Sequence, residues 1–393
     1  MLALCVLLCA ATPAFAVRYE AAPGLDALAG YLKTQPPAEP VTVAVIDSGV
    51  AALPAFGDRL TAGYDFVDDD ADPTNDFATD SHGTFIASVI LAATEGLPVQ
   101  MMPVRVLESK NVSKDALVRG IYYAVDNGAD ILNLSIGGTL TDCSEIDAAV
   151  AYAEAQGVVV VAAAGNEKKR ITNYCPAHIE SAITVSAVDE NGAFEKRYSN
   201  YGDAVDCCAP GDNVSGLNAL GKTVTHSGTS FSAAYVSAGA AMLKLLHPEY
   251  TASQVQNAIK AICIDLGEPG ADPYYGYGLP DFMRVVPASV RIAGNTNDLT
   301  VDYRTTVILH AETDLPFDGV ITWCIGGEPA ATGDALTLKN LTSDTTVYFT
   351  VSDKNGYTLT SEAKHIHVRD DLFRRILAFF RAVLRRLPVV DVR

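Results

Sequence analysis

Residues 41–49 read Val-Thr-Val-Ala-Val-Ile-Asp-Ser-Gly (VTVAVIDSG). The apolar, β-branched run from Val41 to Ile46 predicts a strand buried on both faces. It stops at Asp47, an acid followed by a turn-forming Ser-Gly pair. Runs of the same kind recur at Val99–Val106, Ile131–Ser135, Gly157–Ala163 (GVVVVAA) and Ile183–Val188. Helix-like segments near 84–94, 113–127 and 144–156 lie between them. Strands alternating with crossover helices indicate the α/β class, a parallel sheet covered by helices on both faces. Residues 230–246 are mostly small and apolar and predict a helix buried at the centre; Thr251–Cys263 predicts another. Open sheets of this type build their sites at the carboxyl edge, where Asp47 falls.

Charge and composition narrow the function. The 393 residues suffice for more than one domain, and 49% hydrophobic with 19% charged residues is a globular composition. A formal net charge of −19 argues against duplex nucleic acid or an anionic membrane as partner of the whole protein. Residues 1–16 read as a signal peptide: a short apolar stretch precedes Ala14-Phe-Ala16, a small-x-small cleavage pattern, although no basic leader precedes it. The expected location is therefore secreted or cell-surface associated. Six cysteines follow, Cys143, Cys175, Cys207, Cys208, Cys263 and Cys324. No CxxC pair or Cys/His ligand spacing is evident, so no structural zinc is expected, and export permits disulfides.

The chain changes character near residue 288. From Ser289 to Arg369 it consists of short β-rich runs separated by Asn, Asp and Gly, with Trp323 among them and Asp353-Lys-Asn-Gly356 as a hairpin turn. This predicts a small all-β sandwich, and the region resembles an immunoglobulin-like module. Residues 370–388 have a helical period that gathers Arg374, Arg375, Arg381, Arg385 and Arg386 on one side. Two readings stay open: a helix docked on an acidic body, or contact with a membrane surface or anionic cell-surface polymer.

Three polar features interrupt the apolar pattern of the first part. Asp47 ends a strand, His82 opens a helix-like segment within Ser81-His-Gly-Thr, and Ser230 begins the small-residue helix after Gly228, a residue that permits close backbone approach. Singly, they also fit a turn cap, a helix-end partner and an N-cap. Together, Asp47-Ser-Gly, His82-Gly-Thr and Gly228-Thr-Ser-Phe-Ser-Ala resemble the three active-site motifs of the subtilase family of serine peptidases, in the order Asp, His, Ser. Ala162-Ala-Ala-Gly-Asn166 resembles the family's oxyanion segment, and Leu134-Ser-Ile-Gly-Gly138 its substrate-binding edge. Ala209-Pro-Gly211 and Tyr275-Gly-Tyr-Gly-Leu279 resemble later family signposts. The resemblance spans about 40–284.

It implies a three-layer, parallel-sheet subtilisin-like domain over 40–284, with Val17–Glu39 as a short lead-in and the sandwich at 289–369. That lead-in is too short for the family's usual packed pro-domain. The implied activity is hydrolysis of peptide bonds in polypeptide substrates. Ser230 would be the nucleophile, His82 the base, Asp47 its orienting acid and Asn166 an oxyanion donor. Leu134, Ser135, Ile136, Gly137 and Gly138 would pair with extended substrate, and Ala163, Ala164 and Gly165 would wall its pocket. Ser48 and Ser232 are expected to be local hydrogen-bonders, and His226 to line the edge of the site. The two loops carrying Cys143 and Cys175 would lie close, so these cysteines would pair, leaving Cys263 or Cys324 as partners for Cys207 or Cys208. No cofactor is required for the chemistry. The acidic run from Asp65 to Asp72, with Asp76 and Asp80 nearby, offers Asp68, Asp70 and Asp72 as calcium ligands, a solvated acidic face being the alternative. A monomer is expected. The rival function is a non-catalytic adhesin or scaffold that keeps a peptidase fold.

Overall fold

A computed structural model describes residues 23–369 except 37, 75–80, 109–110, 295, 316–317 and 354–356, together with residue 376. The signal-like residues 1–16, most of the basic segment 370–388 and the tip of the 353–356 turn lie outside the described residues. The chain separates into two compact units, divided after Val286.

The first unit is built on a seven-stranded sheet: β1 (Val41–Asp47), β2 (Tyr64–Asp65), β3 (Val99–Arg105), β4 (Ile131–Leu134), β5 (Val159–Ala163), β6 (Ile183–Val188) and β7 (Cys207–Pro210). Its order is β7-β6-β5-β4-β1-β3-β2, and every pairing is parallel. The chain runs outward from β1 on one side and then returns across it to begin β4. The strand order therefore reverses between β1 and β4, and the crevice at their carboxyl ends is the switch point of the sheet. Asp47 and Ser135 stand at its two sides.

Alternation along the strands sorts the core into two layers. Val41, Val43, Val45, Ile131, Val159 and Val161 face helices α1 (Leu25–Lys33), α2 (His82–Ala93), α5 (Thr229–Leu246) and α6 (Ala252–Ala261). Ala44, Ile46, Leu132, Leu134 and Val160 face α3 (Lys114–Asp126) and α4 (Ser144–Ala155). The β-branched runs are thus buried on both faces, as a helix-covered parallel sheet requires. Residues 25–33, expected as part of a lead-in, form α1 instead. Its Leu25, Leu28 and Ala29 are buried in the same core as α5.

Helix α5 is the central packing element. Its small residues let neighbouring elements come close on every side, and nearly all of it is buried. At Gly239 a Cβ would lie 2.0 Å from the Phe282 ring, so the aromatic rests directly on the helix backbone.

The second unit is an independent sandwich. Strands at Ser289–Ile292, Val307–Asp314 and Ala335–Leu338 form one sheet; the other is built around Val320–Ile325, Thr345–Ser352 and Lys364–Arg369. Ile292, Leu309 and Leu336 from the first meet Trp323, Phe349, Val351 and Ile366 from the second in one core. Trp323 is fully buried and its indole N–H donates to the Gly333 carbonyl at 2.8 Å. Asp353 and Tyr357 pair across the turn, with the Asp353 N–H donating to the Tyr357 carbonyl at 2.9 Å.

Gly239→Val is expected to overpack the contact between α5 and Phe282. Overpacking of this kind costs about 1–3 kcal/mol, which calorimetry should register as a melting temperature several degrees lower.

Candidate active site

Asp47 is the last residue of β1 and has no exposed surface. A buried carboxylate must be partnered. Its Oδ1 accepts the Ser48 N–H at 2.7 Å, and its two oxygens lie 2.8 and 2.9 Å from His82 Nδ1. With Nδ1 donating to the carboxylate, the remaining lone pair of a neutral ring resides on Nε2. His82 is the first residue of α2, which docks against the end of β1. The close approach explains the next residue: a Cβ on Gly83 would lie 2.3 Å from the Gly49 carbonyl and 3.1 Å from Asp47 Cβ. The Gly83 N–H donates to Ser48 Oγ at 3.1 Å, so Ser48 anchors the helix start beside the acid.

Ser230 is the second residue of α5 and is buried. Its Oγ donates to the Ser135 carbonyl at 3.3 Å, and Ser135 Oγ donates back to the Ser230 carbonyl at 3.0 Å. Asn166 follows β5. Its Oδ1 accepts from the Thr229 N–H at 2.9 Å and from the Thr229 hydroxyl at 3.2 Å. Two donors on one oxygen fix the amide orientation, leaving Nδ2 as its donor face. The Thr229 hydroxyl in turn accepts the Gly165 N–H at 3.0 Å. Gly165 has a φ of 101°, and a Cβ there would fall 2.3 Å from Asn200 Nδ2.

His82, Asn166 and Ser230 line one cavity of about 350 Å³, together with Phe85, His226 and Phe231. Phe85 and Phe231 form its aromatic floor with ring centroids 4.7 Å apart, and His226 stacks on Phe231. The role expected of Gly228 differs from the one found. A Cβ there would meet nothing closer than 3.5 Å, the nearest atom being Asn166 Nδ2, so no close approach demands glycine. Ser232 donates to the Ala209 carbonyl at 2.9 Å and Ser227 to Asp212 Oδ1 at 2.8 Å, so the Ser232 partner is remote in the chain rather than local as expected.

The cavity lining does not include the remaining expected site residues. Leu134, Ser135 and Ile136 are buried, Gly137 is exposed, and Gly138 pairs antiparallel with Cys175. Ala163, the last residue of β5, and Ala164 and Gly165 just after it are buried. Cys143 and Cys175 are joined as a disulfide with Cα atoms 6.2 Å apart, tying the loop after Gly138 to the segment beyond Asn166. Closing the loop between these cysteines, 32 residues apart in the chain, disfavours the unfolded chain by roughly 3–4 kcal/mol in the chain-entropy account. His178 lies beside this disulfide, a Cys/His proximity that the sequence reading passed over. Cys207, Cys208, Cys263 and Cys324 are free, contrary to the second pairing considered above. Burial pushes the Cys263 thiol up to about 12 and raises Cys207 and Cys208 well above the ordinary thiol range, which makes them packing groups.

The acidic run is organised by arginines. Arg105, itself buried, donates to Asp65 and, at 2.6 Å, to Asp68; Arg119 pairs with Asp69 at 2.9 Å. Asp70 and Asp72 accept backbone N–H groups of their own turns, from Asp72 at 2.9 Å and Thr74 at 3.1 Å. Among the described residues Asp68, Asp70 and Asp72 do not meet as one ligand set, and Asp76 and Asp80 lie outside those residues.

Residues 39–278 match the Subtilase family, well over half of the chain. The chain belongs to the subtilase family. It is 33% identical over 245 residues to a thermostable alkaline protease of Halalkalibacterium halodurans, covering 60% of this chain and 65% of that protein. It is 35% identical over 211 residues to thermitase of Thermoactinomyces vulgaris, covering 51% and 74%. Among solved structures, a cold-adapted subtilisin-like serine proteinase superposes with a TM-score of 0.56 at 27% identity, over 62% of this subtilase and 89% of that chain.

Sequence reasoning missed the supports of the site. Asn133, Thr229 and Ser237 gave no signal, because their partners are remote in the chain. A second support holds the loop before Ser230: Arg197 pairs with Glu195 and, at 2.8 Å, with Asp212, which accepts from Ser227. Hydrogen bonds from Arg197 hold the buried Glu195 carboxyl below its usual range. Burial works to raise Asp212, but Ser227 and Arg197 outweigh it and hold that carboxyl low as well. Depressed carboxylates stabilise the fold above the unfolded-state value of about 4, and this contribution is lost as pH falls through the folded-state values. The melting temperature is expected to drop as pH is lowered from about 4.5, and Glu195→Gln should flatten that slope. A scan of melting temperature against pH tests this.

Proposed function

We propose that this subtilase is a secreted serine endopeptidase that acts on polypeptide substrates as a monomer. The observation that carries the reading is the buried Asp47 carboxylate held 2.8 Å from Nδ1 of His82, a residue that lines one cavity with Ser230 and Asn166. His82 Nε2 takes the Ser230 proton as Oγ attacks the scissile carbonyl. Asp47 fixes the ring tautomer and stabilises the imidazolium that forms. The developing oxyanion is held by Asn166 Nδ2 and the Ser230 N–H, at the positive end of α5. His82 then delivers the proton to the leaving amine, which departs with its peptide. Water, deprotonated by His82, attacks the acyl-enzyme, and the Ser230 oxygen leaves with the returned proton. These proton transfers use side chains and water alone.

Substrate binding belongs to the same reading. Residues 135–137 follow the end of β4 and pair with no strand among the described residues, which suits addition of an extended peptide. Ala163, Ala164 and Gly165 wall the pocket for the residue preceding the scissile bond. The immunoglobulin-like reading of 289–369 is supported by its two-sheet core, and that module with the basic segment 370–388 would place the enzyme at a cell surface or membrane surface.

Hydrolysis of an unstructured protein substrate should vanish in Ser230→Ala. Asn166→Ala should lose about 10²–10³ in kcat with KM little changed, because the oxyanion exists only along the reaction path. Wild-type turnover in folded Ser230→Ala would overturn the assignment.

A further inference from the structure

One polar residue in the middle of the apolar sheet has no part in the chemistry above. Asn133 occupies the centre of the β4 run Ile-Leu-Asn-Leu, with no exposed surface. Burying an amide there is costly unless every group is partnered. The partners form a directed chain. Ser237 Oγ donates to Asn133 Oδ1 at 2.9 Å, Asn133 Nδ2 donates to Ser135 Oγ at 2.9 Å, and Ser135 Oγ donates to the Ser230 carbonyl at 3.0 Å. Ser237 also has no exposed surface, and Ser135 and Ser230 are nearly as buried. Ser230 and Ser237 are seven residues apart on α5, two turns, and so share the face turned to β4.

Each bond sets the direction of the next. The Ser237 proton selects which end of the Asn133 amide is acceptor, so the NH₂ end faces Ser135. With its oxygen accepting from that NH₂, the Ser135 hydroxyl sends its own proton on to the Ser230 carbonyl. The Ser135 carbonyl meanwhile accepts from Ser230 Oγ at 3.3 Å. Ser135 therefore grips both the backbone and the hydroxyl of Ser230.

We propose that Asn133 and Ser237 are positioning residues, which act through Ser135 to hold Ser230 in register with the peptide-binding edge. The proposal rests on the endopeptidase reading and deepens it. It predicts a kcat effect rather than a KM effect, because Asn133 and Ser237 order the nucleophile while having no exposed surface themselves. Small displacements of a reacting group cost up to about a hundredfold in rate.

The test compares Asn133→Asp and Ser237→Ala with Ser232→Ala. Asp is nearly isosteric with Asn, but its carboxylate accepts where the amide donated. Ser135 must then turn its proton toward residue 133 and release the Ser230 carbonyl. Ser232→Ala removes an equally buried hydrogen bond from the same helix, outside the chain. All three should lower the melting temperature. Per folded molecule, Asn133→Asp should lose about ten- to a hundredfold in kcat and Ser237→Ala a smaller factor, with KM retained, while Ser232→Ala keeps the wild-type kcat. Asn133→Asp should also show a pH dependence of kcat absent from the wild type, since only its protonated form donates to Ser135. Stability losses in all three with kcat unchanged would overturn the proposal. An inactive wild type would instead overturn the endopeptidase reading.

Discussion

A carboxylate with no exposed surface, placed at the end of an interior strand of a parallel sheet, constrains everything around it. Asp47 is held by the Ser48 amide and the His82 ring, and those two contacts fix where α2 begins. The helix must approach so closely that residue 83 has no room for a side chain. The ring that Asp47 orients has one basic nitrogen left. The low local dielectric that makes an unpaired Asp47 intolerable is also what makes its pairing with an imidazolium effective.

Topology brings the other half of the site to that ring. Because the strand order reverses between β1 and β4, a crevice opens at the carboxyl ends of these two strands. The small residues of α5 allow the helix to lie under that crevice with Ser230 at its mouth. Thr229 joins this helix start to Asn166 beyond the end of β5: its N–H and hydroxyl both donate to Asn166 Oδ1, which orients the amide and satisfies one N–H of the helix start together. The Cys143–Cys175 disulfide and the Arg197 cluster hold the surrounding loops.

Much of this was legible in the sequence. The apolar runs located five strands of the sheet within one or two residues, because burial on both faces leaves an unbroken β-branched signature. Asp47 stood out as an acid at the end of such a run, and His82 and Ser230 as polar residues at helix starts, whereas Asn166 was singled out by the resemblance of its segment to the subtilase oxyanion motif. What could not be read has a common physical form. Asn133 and Ser237 are about a hundred residues apart, and a buried hydrogen bond at that separation leaves no periodic trace. Helix α1 is short, and its Pro-rich surroundings concealed it. Gly228 was credited with a steric role that belongs to Gly83 and Gly165, since only the folded backbone reveals which glycines are crowded.

Three serines, Ser227, Ser230 and Ser232, lie within six residues; Ser227 and Ser230 both line the cavity with His82 and Asn166, but the Ser227 hydroxyl is committed to Asp212 Oδ1 at 2.8 Å. The most direct measurement is to react the folded protein with a fluorophosphonate and map the adduct by peptide mass spectrometry. A single adduct on Ser230, lost in Ser230→Ala, is the predicted result. An unmodified folded wild type, or an adduct on Ser227 or Ser232, would contradict the account.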